Sequence, residues 1–142
     1  MSNFYTQYWD AFLVALEART NFPLKIKKGP ITNNYLSWNC FGRKGFKLIA
    51  SLQENADWIC VNFGIDSRDQ KHHFKTLAAK QYEINKDVGE KLRWKPLGNE
   101  RSDTQAILTK YQVDVQNRSD WANQHSWMLD RLEKFYKAFK EH

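Results

Sequence analysis

Cysteine is scarce: Cys40 and Cys60 are the only two in 142 residues. Two are too few for a disulfide scaffold or a four-ligand zinc site. On the first and third strands of a meander they would stand about 9–10 Å apart, too far to bridge. No apolar run nears the roughly 20 residues of a bilayer span, so no membrane partner is expected. The opening Asn3-Phe4-Tyr5-Thr6-Gln7-Tyr8-Trp9-Asp10 lacks a basic start and a long apolar stretch, so no secretory leader is expected. The expected compartment is the cytoplasm. Internal repeats and low-complexity segments are absent. So are the Gly-x-Ser-x-Gly elbow, Gly-x-Gly-x-x-Gly, the phosphate loop, Cys-x-x-Cys and His-x-x-x-His. No cofactor and no metal is expected.

What is present is a core-forming composition. Apolar residues are 42% and aromatics 15%, enough burial to offset ordering entropy. The length predicts one domain over 1–142. Twenty-two Lys+Arg against 16 Asp+Glu give a net charge of +6.

The periodicity predicts α-β-β-β-α-β-β-α. A first helix spans Asn3 to Arg19, with Tyr5, Trp9, Phe12, Leu13 and Leu16 at helical spacing, and ends before Pro23. Strands follow over Tyr35 to Gly42, Phe46 to Gln53 and Trp58 to Ile65, alternating as a sheet with one buried face. Arg43-Lys44-Gly45 and Glu54 to Asp57 read as hairpin turns. Asp66-Ser67 caps a second helix reaching Lys86, with Phe74, Leu77, Gln81 and Ile84 inward and Gly89 just beyond its end. Lys91 to Lys95 is a fourth strand, with Leu92 and Trp94 inward. Gln105 to Val113 is a fifth. Ser119-Asp120 caps a last helix to Lys140, with Trp121, His125, Met128, Leu129, Leu132, Phe135, Tyr136 and Phe139 on its apolar face. The expected fold class is α+β: a two-layer sandwich of a five-stranded, mainly antiparallel sheet and three helices.

Three constellations bear on chemistry. His72, His73, Cys40, Cys60, His125 and His142 could be considered for metal, but adjacent helical histidines diverge by about 100°. Asp57 with Asp69-Gln70-Lys71 nominally offers the acids and lysine of a magnesium-dependent nuclease, in a poor setting of one turn and one helix start. The third is a surface. With Leu48, Val61 and Leu92 inward, the opposite face carries Lys47, Ser51, Trp58, Asn62, Arg93 and Lys95, beside Arg43 and Lys44 at the hairpin tip. Cations with an aromatic on an open sheet suit phosphate contacts and base stacking. The bland alternative is a solvated, lysine-rich sheet face. Trp127 and Tyr136 make the last helix aromatic nearly all round, which fits core packing or a dimer or partner contact. His125 shares that helix's apolar face and reads as a satisfied core histidine.

Several segments together resemble an uncharacterised bacterial and archaeal family, the domain of unknown function numbered four-two-six-eight. They are Tyr8-Trp9-x-x-Phe12, Leu36-Ser37-Trp38, Gly42-Arg43-x-Gly45-Phe46-x-Leu48, Leu92-x-Trp94, Asp114-Val115, and Arg118-x-Asp120-Trp121-x-x-Gln124-His125-x-Trp127. Family members often stand C-terminal to a restriction-endonuclease-like domain. The resemblance therefore implies an accessory module of DNA processing or phage defence, with no established catalytic residues. A chain of this length has no room for such a nuclease. It is expected to act alone, self-associate or serve a separately encoded partner. The reading is a non-catalytic binding module that contacts nucleic acid backbone through Arg43, Lys44, Lys47, Arg93 and Lys95, with Trp58 stacking. The alternatives are a protein-interaction or dimerisation module using Trp127 and Tyr136, and a small nuclease using Asp57, Asp69 and Lys71.

Overall fold

The computed structural model describes residues 4–25, 31–42, 44–66, 73–95 and 104–141, with Lys95 and Thr104 as backbone only. Five strands form one antiparallel sheet: β1 (Tyr35–Trp38), β2 (Phe46–Leu52), β3 (Trp58–Asp66), β4 (Arg93–Lys95) and β5 (Thr104–Gln112). Their spatial order is β1-β2-β3-β5-β4. The helices are α1 (Phe4–Glu17), α2 (His73–Ala78), α3 (Gln81–Val88) and α4 (Trp121–Glu141), the last entered through a 3-10 turn at Arg118–Asp120.

Alternation decides which strand residues meet the helices. Leu48 pairs with Phe63, Ala50 with Val61 and Leu52 with Ile59, and all six are buried. Ile107, Thr109 and Tyr111 of β5 continue these rows on the same face. α4 crosses that face over β2 and β3, and α1 and α3 pack against α4. This is the expected two-layer sandwich, with its core between the sheet and the helices.

α1 buries Tyr8, Trp9, Phe12 and Leu16. Tyr8 replaces the expected Tyr5 and Leu13, which are only half-buried. Two buried indoles anchor the chain leaving α1. Trp9 donates to the Asn33 carbonyl and Trp38 to the Lys25 carbonyl, both at 2.9 Å.

Three boundaries moved from expectation, each for a local reason. The first strand stops at Trp38 rather than Gly42. Continued alternation would point Phe41 away from the helices, whereas Phe41 packs on Phe63 and Tyr136 of the core side. The second helix splits in two. An unbroken helix would carry Gln81 on the buried stripe, and the turn at Ala79 and Lys80 leaves it exposed. Its expected start at Asp66-Ser67 runs into 67–72, outside the described residues. The fourth strand begins at Arg93, because the Leu92 amide turns to the Asn85 side chain at 3.4 Å. Asn85 Oδ1 also accepts the Trp94 indole at 3.1 Å.

Candidate nucleic-acid interface

The face of the sheet away from the helices is defined by register. Three rows cross it. Ser37, Ile49, Asn62, Leu108 and Arg93 form one. Lys47, Gly64, Ala106 and Lys95 form the next. Tyr35, Ser51, Cys60 and Lys110 form the third. Every lysine and arginine of the five strands lies on this face: Lys47, Arg93, Lys95 and Lys110. The strands contain a single carboxylate, Asp66 at the end of β3, which the register puts at the margin of the same face. The four helices contain six cations and seven carboxylates. Positive charge is therefore segregated onto one side of the sheet.

The rows also set the shape. Gly64 and Ala106 lie between Lys47 and Lys95, so a low floor separates two cationic strands by three strand spacings, about 14 Å. Ile49 leans over Gly64; a Cβ there would meet Ile49 Cδ1 at 3.4 Å. Leu108 and Cys60 are nearly buried despite facing outward. The centre is thus a small apolar floor with cations around it.

The sequence-predicted residues fall as follows. Lys47 and Arg93 are exposed on this face, and the backbone register puts Lys95 with them. Lys44 is exposed in the hairpin between β1 and β2. Gly42 and Gly45 flank that tip with φ of 66° and 94°, backbone that side chains other than glycine rarely adopt. Arg43 lies outside the described residues. Trp58 is half-buried, with the Lys110 ammonium 4.4 Å from its ring centroid. Lys110 was missed as a site residue. Extending the alternation of Ile107, Thr109 and Tyr111 into the fifth strand would have found it.

Trp127 and Tyr136 are half-buried, each in an intramolecular stack. Trp127 lies on Tyr111 at 5.3 Å, with the Arg131 guanidinium 5.2 Å away. Tyr136 lies on Phe41 at 5.7 Å, with the Lys140 ammonium 5.6 Å away. Asp57 is exposed in the turn before β3, while Asp69 and Lys71 lie outside the described residues. Among the described residues, no three His, Cys, Asp or Glu side chains group to hold a metal ion. Neither Cys40 nor Cys60 is in a disulfide. No helix among these residues is long and apolar enough to cross a membrane.

Residues at the two ends of the chain meet in one buried cluster. Tyr8 of α1 donates its hydroxyl to Gln124 Oε1 at 2.9 Å. Gln124 Nε2 donates to the Asp114 carbonyl at 2.9 Å and to Asp120 Oδ2 at 3.0 Å. The Trp121 indole donates to the Val115 carbonyl at 2.8 Å. Burial, with Asp120 nearby, pushes the Tyr8 phenol well above its ordinary range. His125 is 2% exposed among Tyr8, Phe12 and Trp121. It is a core histidine but not a satisfied one, since Nε2 has no hydrogen-bond partner. Burial pulls it down to about 4, so it is neutral at pH 7. The cluster joins α1, α4 and the segment between β5 and α4.

No curated protein and no solved structure shows significant similarity to this chain. The family described as a domain of unknown function, DUF4268, matches residues 4–142. With the match covering almost the whole sequence, the chain belongs to the DUF4268 family.

Proposed function

We propose that this protein is a non-catalytic module that binds nucleic acid backbone through the open sheet face and the adjoining hairpin. The observation that carries the reading is the sorting of charge by register. All strand cations stand on one face, around a low apolar floor. Lys47, Lys95, Arg93 and Lys110 reach phosphates along a strand laid across the sheet, and Arg43 and Lys44 extend the contact at the hairpin. Arginine suits planar, bidentate phosphate contacts, and lysine acts as a point charge. Neutralising phosphates releases condensed counterions, so affinity falls steeply with salt. Trp58 offers a ring for stacking beside this path. The family resemblance adds a context of DNA processing or defence.

The test is fluorescence anisotropy with labelled duplex and single-stranded DNA over a salt series. Lys47→Ala and Arg93→Ala each lower the slope of log K against log salt by about 0.9 on duplex DNA and about 0.7 on single strands. A slope unchanged in the double variant rules out this face. Absence of binding at low salt removes the reading altogether.

A further inference from the structure

The hairpin that carries Lys44 also forms the wall of a pocket on the other side of the sheet. The pocket holds about 260 Å³ and lies where β2, β3, α2 and the end of α4 converge. Its walls are rings. Phe63 stacks on Phe139 at 4.2 Å and 7°, and on Phe46 at 5.6 Å and 19°. Phe41 and Tyr136 lie nearly parallel, 5.7 Å apart and both half-buried. Lys140 is at the rim, 5.6 Å from the Tyr136 ring centroid.

Residues 39–42 and 44–46 divide between two recesses. Cys40, Phe41 and Phe46 line the aromatic pocket. Asn39, Gly42, Lys44 and Gly45 line a shallow cleft. One short loop thus joins an aromatic recess to a cleft that carries Lys44. The volume is below the roughly 300–1,000 Å³ of a drug-sized ligand site, so it suits one ring system. Lys140 and Glu141 both line the pocket and offset each other, so the cation that favours a ring with negative charge close by is Lys44 in the neighbouring cleft. A nucleobase with its phosphate has that chemistry, and aromatic side chains stack on any base.

We infer that this pocket takes a single unstacked base of a single-stranded nucleic acid, whose adjoining phosphate lies at the Lys44 cleft. The inference rests on the backbone-binding reading above and adds the ligand: single strand in preference to duplex, because a paired base cannot leave its stack without cost. The base enters from the sheet edge, around the hairpin, while its strand lies on the basic face.

Cys40 supplies the test, because it lines the pocket and is half-buried, whereas Cys60 is buried. Burial pushes the Cys40 thiol up to about 11, so alkylation by iodoacetamide at about pH 9 is slow enough to time. Mapping the modified peptide by mass, with Cys40→Ser as the blank, isolates this site. A saturating single-stranded oligonucleotide is expected to slow Cys40 alkylation about tenfold, and its duplex less than twofold. Phe41→Leu and Tyr136→Leu are expected to weaken single-strand binding about tenfold each and to leave duplex binding unchanged. Should either variant fail to fold, protection of Cys40 in the unaltered protein decides alone. Salt-sensitive binding of single strand with no protection of Cys40 overturns the pocket and leaves the basic face standing. Equal protection by duplex also overturns base entry. Binding of neither polymer removes both.

Discussion

The two faces of one sheet are made from the same five strands and obey different physics. Toward the helices, Leu48, Ala50, Val61, Phe63 and Ile107 are fully or almost fully buried, and their rows run on into Thr109 and Tyr111 of β5. Toward the outside, Lys47, Arg93 and Lys110 are exposed around Leu108 and Cys60. Residues adjacent in sequence therefore carry unrelated duties. The helix side supplies stability through area removed from water, at roughly 25 cal/mol per Å². The outer side supplies a field, which is long-ranged, tunable by salt and nearly irrelevant to folding.

Neighbouring substitutions break the comparison most sharply. Leu48→Ala is expected to cost about 2–5 kcal/mol by urea denaturation. Lys47→Ala should change stability by no more than about 0.5 kcal/mol. Comparable losses from the two would show that the outer face is also packed.

The second effect sharpens the buried side. His125 is held at about 4 in the folded protein, against about 6.5 when unfolded. The unfolded chain therefore takes up a proton first as pH falls, and this loss of stability runs from about 6.5 down to 4. Its full size is on the order of 3 kcal/mol. Denaturation midpoints of His125→Phe should lose that part of the pH dependence. A slope unchanged by the substitution would assign it to other groups.

A third, smaller effect lies in the cluster beside it. Tyr8→Phe leaves Gln124 Oε1 without its buried donor, which should cost about 1–3 kcal/mol. A neutral outcome would mean that water or a shifted side chain replaces the hydroxyl.

The smallest stability effect belongs to the outer face. Lys110→Ala removes a cation from the Trp58 ring, a loss of about 0.5–1 kcal/mol at an exposed site. Its effect on DNA binding should be larger in kind, lowering the duplex salt slope by about 0.9. Loss of stability without a change in slope would make Lys110 a structural partner of Trp58 only.

Much of the fold was legible because burial imposes a period. Phe46, Leu48, Ala50 and Leu52 announce their strand and its inner face, and the same rule puts Lys47 outside. The last helix read well for the same reason, with apolar spacing from Trp121 to Phe139, about five turns. Gln124 carries no apolar signal for its burial, and its partners Tyr8, Asp114 and Asp120 account for it. Helix splitting was missed because Gln81 falls at a stripe position, and polarity there was overridden by the repeat.

The sequence by itself determined the alternation of α and β elements, the two-faced strands and the excess of positive charge. These depend on neighbours within a few residues, where chirality and side-chain period act alone. Only the tertiary structure decided the rest. It paired β5 with β3, bringing Lys110 over Trp58 and Arg93 into the row of Asn62. It carried Phe41, Phe63 and Phe139, nearly a hundred residues apart at the extremes, into one aromatic recess. Such meetings depend on strand register and helix docking, which are set by packing the whole core at once.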